Sequence, residues 1–389
     1  MTQNTDSAED LLSDIDMVEK PSESVPVPTL PVPLCGWRLL LIGAVFLYSS
    51  FTIFVHLCEV DGRLPFLSAS VIFLVELLKL VLSLVMFGMH HGSFAFTSSS
   101  GTHTSFIDAI RLELRQNLMS SSDASRPPPS LRLPPLTYPQ LFRIVLPFMI
   151  PAVLYAVNNN LGIFIQLEMD PATYQVLGNF KILSTAILFR LIIRRPISPI
   201  QWFALFLLLS AGFTHSYGSL LAKSASPLPG SPSPLASTSH RLHITVLGIF
   251  LIALYCTISG LSGVTTEYLM KQRAQMNIHL QNALLYTFGI ILNGLMFVVE
   301  VHKSGDPAYW NPFKGYTLWT WLLILTQSVS GIFMGFVMKY SNNITRLFLI
   351  SSAMLVTTFT AMLVFGLHLN FLFIVSFLLV CISLFLYHR

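Results

Sequence analysis

Three lysines stand in or beside apolar stretches of the sequence, where a buried amine has a chemical use. Lys79 and Lys181 lie inside such stretches, and Lys339 ends one. An ionisable group at the centre of a bilayer costs about 2.5 to 3.5 kcal/mol on insertion scales, which makes each lysine a functional candidate. A lysine in a polar cavity meets phosphate as a point charge on a long stem. The three residues therefore predict a buried site for an anion, and a ligand with two phosphates suits them best.

Each lysine also has a structural interpretation. Glu76 and Lys79 are three residues apart on one helical face, so an ion pair competes evenly with a ligand role. Lys339 lies near a predicted membrane boundary and could extend to the interface instead. Lys181 differs, because the nearest acidic residue in sequence, Asp170, is three turns away and the apolar sequence continues for two more turns. Its position favours a polar cavity.

Amide and aromatic side chains precede Lys181 at similar depth. They include Tyr155, the three asparagines at 158–160, and Tyr174. Amides at this depth bond a partner helix or read the polar edge of a base and ribose. Three consecutive asparagines cannot share one helical face, so we expect at least one of them to be structural.

The second half of the chain carries a similar set. Gln281 and Asn282 open one apolar stretch, and Gln327 lies within another, just before Gly331 and Gly335. Two glycines four residues apart are more often a helix contact than a binding site. A glycine-lined face also lets a bulky ligand approach the backbone, so both interpretations stand.

Several functional classes lack their sequence motifs. The chain has no G-x-x-x-x-G-K-[ST] phosphate loop and no H-E-x-x-H motif, and its four cysteines show no metal or redox spacing. The sequence shows no cluster of acidic or nucleophilic residues of the kind that an intramembrane enzyme needs. No basic cluster is interleaved with aromatics as nucleic-acid binding requires. We therefore expect no enzyme, no metal and no cofactor.

The elements that must position these residues are long apolar helices. Of the 389 residues, 53% are hydrophobic and 10% are charged, whereas soluble domains carry about a quarter charged residues. The apolar residues form blocks of about 18 to 24, the length of a helix that crosses a hydrocarbon core of about 30 Å. The apolar blocks do not show the alternation of apolar and polar residues that the strands of a membrane barrel have. The sequence predicts about ten spans, at roughly 37–57, 66–88, 142–164, 172–193, 200–220, 245–266, 279–300, 318–338, 346–366 and 370–387.

The spans divide the chain into two halves. We expect a disordered cytosolic tail at 1–36, a first five-helix half at 37–220 with a cytosolic insertion at 89–141, a luminal linker at 221–244, and a second half at 245–389. The Lys/Arg bias of the short loops places both termini in the cytosol. Because five is an odd number, the halves insert with opposite orientation. This predicts inverted repeats with a ligand site between them, near the midplane.

Three segments of the first half match a known pattern. Tyr155–Asn160 resembles Y-A-x-x-N-N, Asp170–Val176 resembles D-x-x-T-Y-Q-V, and Lys181–Leu183 resembles K-I-L. The pattern is that of the nucleotide-sugar transporter family, solute carrier family 35, subfamily A, and the resemblance covers roughly residues 37–388 outside the two long loops. It implies the drug/metabolite transporter fold, an all-α polytopic membrane protein with about ten transmembrane helices in two inverted five-helix repeats.

The resemblance also implies roles for single residues. Tyr174 would stack on the base, Asn159 and Asn282 would hydrogen-bond the nucleotide, and Lys181 and Lys339 would meet its phosphates. The substrate-binding residues expected on this basis are Lys181, Tyr174, Lys339, Asn159, Asn282, Lys79, Gln327 and Gly331.

Together these features predict a Golgi antiporter. It would exchange a cytosolic nucleotide-linked sugar, either a UDP-sugar or a related CMP- or CDP-linked donor, for a luminal nucleoside monophosphate by alternating access. The expected partners are these two nucleotides and the lipid bilayer, without nucleic acid, and an oligomer with itself or with related transporters is left open. The alternative is a non-transporting membrane adaptor or regulator that retains the transporter fold.

Overall fold

The described part of the chain consists of helices and their connections. A computed structural model describes residues 33–58, 65–97, 106–121, 137–168, 171–225, 246–365 and 371–388, and within these ranges it contains no strand. The α-helices are α1 (Leu34–Cys58), α2 (Ser68–Thr97), α3 (Phe106–Ser121), α4 (Tyr138–Val145), α5 (Met149–Glu168), α6 (Pro171–Leu177), α7 (Lys181–Ile192), α8 (Pro199–Ala225), α9 (Val246–Gln272), α10 (Ile278–Ser304), α11 (Leu318–Tyr340), α12 (Asn343–Phe365) and α13 (Phe371–Tyr387).

Six helical stretches of the described chain are long and apolar enough to cross a membrane. They are Gly36–Val55, Ser68–His91, Tyr138–Gly162, Val246–Gln272, Ile278–Ser304 and Leu318–Tyr340. These six fall on the first three predicted spans and on the sixth to the eighth, which confirms a helical multi-pass membrane protein. The other four predicted spans fall on α6 with α7, on α8, on α12 and on α13, which are also helical. The count of ten spans stays a prediction.

The fourth predicted span is interrupted in its middle. A one-turn 3-10 helix at Gly178–Phe180 separates α6 from α7. Asn179 donates a hydrogen bond from Nδ2 to the Ser216 hydroxyl of α8 at 3.1 Å. Gly212 of α8 makes room for this amide, because a Cβ atom there would lie 2.6 Å from the Asn179 Oδ1. The break is thus fixed against α8, and Lys181 is the first residue after it.

The most extensive helix packing joins the two predicted halves. α2 packs on α10, and α8 packs on α13. α1 packs on α11 and α12, while α9 packs on α5 and α7. α2 also contacts α11, and α10 also contacts α5. Each pair takes one helix from each half, so the halves interdigitate instead of forming two separate bundles.

A large apolar cluster lies where five of these helices, α7, α8, α9, α12 and α13, meet. Its buried members include Phe189 of α7, Leu208 of α8, Phe348 of α12 and Val380 of α13. Lipid tails are as apolar as these side chains, so the helices associate through close packing and not through escape from water. The cluster therefore fixes the shape of this region more than it drives the helices together.

α3 lies within the insertion predicted at 89–141. Ala109 and Leu114 on its buried face pack in one cluster with Phe87 of α2 and Ile144 of α4. The composition of the insertion predicted a polar loop there, and the helix is an addition to that expectation. The middle of the insertion is thus attached to the bundle.

The other predicted boundaries fall largely outside the described residues. α8 continues to Ala225 and so enters the linker predicted at 221–244. The remainder of that linker, and residues 1–32 of the predicted tail, lie outside the part of the chain that the structure describes.

Candidate functional site

Lys181 opens α7 and is half-buried beside α9. Ser184 on the next turn donates to the Cys256 carbonyl of α9 at 2.6 Å, which holds the start of α7 against that helix. The ion pairs of the described residues include none that involves Lys181. Lys181 is thus half-buried and has no acidic partner among the described residues, and its role in a polar cavity stays a prediction.

A second cation, Arg346 of α12, lies in the same region. Its guanidinium and the ammonium of Lys181 interact electrostatically. The Nη1 atom donates to the Tyr155 hydroxyl of α5 at 3.4 Å and to Asn343 Oδ1 at 3.4 Å. Among the described residues Arg346, like Lys181, forms no ion pair with an acid. Two cations, one from each half of the chain and neither paired with an acid among the described residues, therefore interact electrostatically.

Sequence reasoning missed Arg346. The residue was placed at the first position of the predicted ninth span, where an arginine is commonly an interfacial charge. The available signal was the apolar sequence that follows it directly, Leu347-Phe348-Leu349-Ile350. In the structure α12 begins three residues earlier, at Asn343. Arg346 is therefore one turn inside the helix and can point into the bundle.

Tyr174 of α6 packs at the edge of this region. Its ring centroid lies 5.7 Å from that of Tyr255 of α9. Its hydroxyl lies close to α5, since a Cβ atom on Gly162 would be 3.2 Å from that oxygen. The glycine thus leaves room for the Tyr174 hydroxyl beside α5. The aromatic face predicted to stack on a base is present, next to a second tyrosine.

The three consecutive asparagines of α5 point in different directions, as expected. Asn160 donates to the Ala156 carbonyl within its own helix at 2.8 Å, so it is structural. Asn158 is half-buried, and its Oδ1 atom is buried without a hydrogen-bond partner. Asn159 is exposed. The geometry favours Asn158 as the inward-facing amide, and the ligand role of Asn159 stays a prediction.

A second polar group lies between α2, α10 and α11. The Nζ atom of Lys79 is 2.5 Å from Glu76 Oε1, and both side chains are largely buried, with 13% and 16% of their surface exposed. The ammonium also lies 4.9 Å from the ring centroid of Tyr286. A Cβ atom on Gly331 would be 2.8 Å from Lys79 Cδ, so this glycine gives the lysine its space. The ion pair that the spacing allowed is therefore formed.

Two predicted amides next to this pair have unsatisfied polar atoms. Asn282 of α10 is fully buried, and neither its Oδ1 nor its Nδ2 has a hydrogen-bond partner. Gln327 of α11 has a buried Oε1 without a partner. A Cβ atom on Gly335 would lie 2.5 Å from the Asn282 amide, which makes that glycine a close packing partner. Buried amides without partners are unfavourable unless a ligand or water completes them.

Lys339 has a partner in the turn between α9 and α10. It donates from Nζ to the Met276 carbonyl at 2.5 Å. Gln281 Nε2 donates to the same carbonyl at 3.1 Å and to the Arg273 carbonyl at 2.5 Å. In this conformation Lys339 stabilises the turn, and a phosphate would have to replace the Met276 carbonyl as its acceptor.

A fully buried ion pair fixes the start of α12, the helix that carries Arg346. Lys271 Nζ is 2.5 Å from Glu267 Oε1. The other carboxylate oxygen accepts from the Asn343 backbone N–H at 2.7 Å, and Lys271 also donates to the Ser341 carbonyl. A carboxylate at a helix N-terminus is stabilised by the first free N–H groups and by the helix dipole. The position of Arg346 thus depends on α9.

The site as a whole is suited to a polyanionic ligand with polar and aromatic parts. Lys181 and Arg346 offer positive charge, the tyrosines offer ring faces, and the unpartnered amides offer hydrogen bonds. No group of three or more His, Cys, Asp or Glu side chains in the described ranges could hold a metal ion. The described residues thus supply electrostatic binding and show no metal-binding arrangement.

Comparison with known proteins agrees with this chemistry. A family model described as "Nucleotide-sugar transporter" matches residues 140–388. Proteins named "Probable UDP-sugar transporter protein SLC35A4" are similar: the Mus musculus protein is 37% identical over 363 residues, covering 93% of this chain and 97% of the relative, and the Homo sapiens protein is 36% identical over 352 residues, covering 90% and 94%. The Xenopus tropicalis protein is 35% identical over 352 residues, covering 90% and 92%.

The fold recurs in a solved structure of distant sequence. A chain described as "Crystal structure of protein" aligns with a TM-score of 0.52 and 11% identity, over 90% of this chain and 96% of that one. At this identity the likeness concerns the fold alone.

Proposed function

This chain belongs to the nucleotide-sugar transporter family, and we propose that it exchanges a UDP-linked sugar, or a related CMP- or CDP-linked donor, for a nucleoside monophosphate across the Golgi membrane. The similar proteins are named as transporters, and the chain is not an enzyme. The observation that carries the proposal is the approach of Lys181 and Arg346, two cations from opposite halves without an acidic partner in the described chain. Phosphate groups between them would supply the missing negative charge.

The same two cations give a physical reason for exchange instead of free transport. Without an anion, Lys181 and Arg346 repel each other in a region of low dielectric, where such repulsion is weakly screened. The empty carrier is therefore disfavoured at the point where it must change orientation. A nucleotide sugar relieves the repulsion in one direction, and a nucleoside monophosphate relieves it in the other.

The helix packing supports the proposed inverted repeats. In chain order, α1, α2, α5, α7 and α8 of the first half correspond to α9, α10, α11, α12 and α13 of the second. When each helix is exchanged for its counterpart, the contact of α1 with α11 becomes that of α9 with α5. The contact of α1 with α12 likewise becomes that of α9 with α7. The contact of α2 with α11 becomes that of α10 with α5. The pairs α2–α10 and α8–α13 each consist of two counterpart helices, so the exchange leaves these contacts unchanged. Such a pattern is expected of two repeats related by a pseudo-two-fold axis, with the site on that axis.

Within this proposal the ligand parts are assigned by chemistry. Tyr174 stacks on the base, and Lys181 and Arg346 meet the phosphates. Asn282 and Gln327 hydrogen-bond the polar edge of the nucleotide. Lys79, Gly331, Lys339 and Asn159 complete the proposed set.

Uptake into proteoliposomes tests the proposal. Vesicles preloaded with UMP or CMP are given labelled UDP-, CMP-, CDP- or GDP-linked sugars, and we expect a pyrimidine nucleotide inside to stimulate entry of at least one pyrimidine-linked donor. Lys181→Ala should abolish stimulated uptake while the protein keeps its unfolding temperature. Lys314→Ala is the matched control, because Lys314 pairs with Asp306 in the connection between α10 and α11 and does not belong to the proposed site. Normal exchange by Lys181→Ala would sink the assignment.

The adaptor alternative makes an opposite prediction. Nucleoside monophosphates stabilise a protein that binds them in its folded state, and the shift in unfolding temperature grows with concentration. A non-transporting adaptor should show no such shift. Unchanged unfolding temperatures across a panel of UMP, CMP, GMP and AMP would favour it over the transporter.

We also propose that both termini face the cytosol. The basis is the excess of Lys and Arg in the short loops on that side. Terminal epitope tags on sealed Golgi vesicles should be digested by added protease, whereas protection of either tag would contradict this orientation.

A further inference from the structure

We propose that Glu76 is an internal anion that competes with the nucleotide phosphate for Lys79 and thereby sets the affinity of the site. This rests on the proposed function, since it names a regulating residue within the same site. The two side chains are in contact now, at 2.5 Å. Lys79 therefore has two potential acceptors, one fixed in its own helix and one that arrives with the substrate.

The surroundings of the pair hold both side chains close to the backbones of two neighbouring helices. A Cβ atom on Gly289 of α10 would lie 2.8 Å from Glu76 Oε2, and one on Gly331 of α11 would lie 2.8 Å from Lys79 Cδ. Each charged side chain thus lies against the backbone of a neighbouring helix at a glycine. The pair occupies a narrow slot between α10 and α11, two helices of the opposite half.

The polar atoms next to the slot indicate that a ligand is expected there. Asn282 stands one turn before Tyr286, the residue whose ring lies under the Lys79 ammonium, and both amide atoms of Asn282 are buried without a partner. Gln327 stands one turn before Gly331, and its Oε1 is likewise buried and unpartnered. A purely structural ion pair would not need unsatisfied amides on both neighbouring helices. A nucleotide that reaches Lys79 would pass these amides.

The spacing of the pair makes the exchange of partners a local event. Glu76 and Lys79 are three residues apart on α2, so their contact needs no other helix. The lysine stem can turn from the carboxylate to a phosphate by rotation about its own bonds. A phosphate can bind Lys79 only when the contact between the lysine and Glu76 is broken, and this lowers the affinity of the site for the ligand. In the empty site the carboxylate neutralises Lys79, whereas Lys181 and Arg346 form no ion pair with an acid among the described residues.

Nucleotide binding by the purified full-length protein tests the inference. Dissociation constants for UMP and CMP are measured for the wild type, Glu76→Gln, Lys79→Gln and the double variant. Removing the competing carboxylate in Glu76→Gln is expected to lower the dissociation constant by at least about threefold, because Lys79 no longer has to leave a charged partner in order to meet the phosphate. Lys79→Gln should raise it. The double variant should match Lys79→Gln, because Glu76 acts through the lysine.

Several results would overturn the proposal. They are weaker or unchanged binding by Glu76→Gln, or an effect of Glu76→Gln that persists when Lys79 is replaced. If Glu76→Gln does not fold, Glu76→Asp shortens the carboxylate's reach, and a smaller decrease in the dissociation constant is expected from it; no decrease there would also overturn the proposal. Asp306→Asn, which breaks the exposed pair with Lys314, is the control and should bind as the wild type does.

The outcome also separates this inference from the proposed function. If the wild type binds no nucleoside monophosphate, the proposed function fails and the inference with it. If the wild type binds and exchanges nucleotides while Glu76→Gln behaves identically, the inference alone fails.

Discussion

Arg346 and Tyr155 face each other across the two halves of the chain, with the guanidinium carbon 5.9 Å from the ring centroid and Nη1 3.4 Å from the hydroxyl. The residues are separated by 191 positions in sequence. Tyr155 belongs to α5 and Arg346 to α12, so the contact connects helices that the proposed transport cycle moves relative to each other. An arginine held by an aromatic hydroxyl, and not by a carboxylate, keeps its charge available for a ligand.

Arg346→Ala should remove one of the two cations of the proposed phosphate site. A hydrogen bond to a charged group contributes about 1.5 to 3 kcal/mol, so we expect nucleotide-stimulated exchange to fall by about tenfold or more. Arg346→Lys should retain part of the activity, because it keeps the charge and loses the planar fork. Arg111→Ala is the control, since that side chain is 63% exposed and pairs with Asp108. Wild-type exchange by Arg346→Ala would remove Arg346 from the site.

Gly335→Ala should disturb Asn282. The new methyl group would lie 2.5 Å from the amide oxygen, and overpacking of this kind costs about 1 to 3 kcal/mol. We expect a lower unfolding temperature in detergent and weaker nucleotide binding. Gly43→Ala is the matched control in another helix, because a Cβ atom there would meet no other atom within 4 Å. Identical behaviour of the two variants would show that Gly335 does not hold Asn282 in place.

Glu267→Gln should destabilise the protein strongly. It leaves the buried ammonium of Lys271 without its acid and weakens the cap of α12, and breaking a buried pair from one side costs about 3 to 5 kcal/mol. Glu267→Gln with Lys271→Met should recover part of the loss, because no unpaired charge remains. Thermal unfolding in detergent measures both. The prediction fails if the single variant unfolds at the wild-type temperature, or if the double variant is less stable than the single one.

Glu113→Ala should loosen α3 from the bundle. Glu113 Oε1 accepts from the Asn277 backbone N–H at 2.6 Å, and Asn117 on the next turn accepts from Arg273 Nη1 at 3.0 Å. Losing the charged acceptor costs about 1.5 to 3 kcal/mol, so amide hydrogen exchange should accelerate in α3 and in the turn at 273–277. Arg111→Ala on the exposed face of the same helix should leave exchange unchanged. Equal exchange rates in both variants would indicate that Glu113 does not hold α3 against the turn.

The sequence by itself determined the class of the protein and made one residue, Lys181, the leading ligand candidate. A composition with 10% charged residues and apolar blocks of membrane-spanning length excludes a soluble fold, because a charge or an open backbone in lipid is costly. The same cost makes a lysine far from any acid a ligand candidate, which identified Lys181. The spacing of Glu76 and Lys79 permitted an ion pair, since helix geometry fixes which residues share a face. Each of these inferences depends on neighbours in sequence alone.

The tertiary structure decided which residues meet across helices. Local periodicity shows that Asn158, Asn159 and Asn160 point in different directions, but only the packing of α5 shows that the Asn158 oxygen is buried. The partner of Lys339 is the Met276 carbonyl, 63 residues earlier in the chain. The sequence around Lys339 gives no indication of this contact. Arg346 is the first residue of the predicted ninth span, and its depth depends on where α12 begins, which Glu267 on another helix sets. A helix period gives the angle between two side chains on one helix, whereas the identity of the facing helix follows from the packing of the whole bundle.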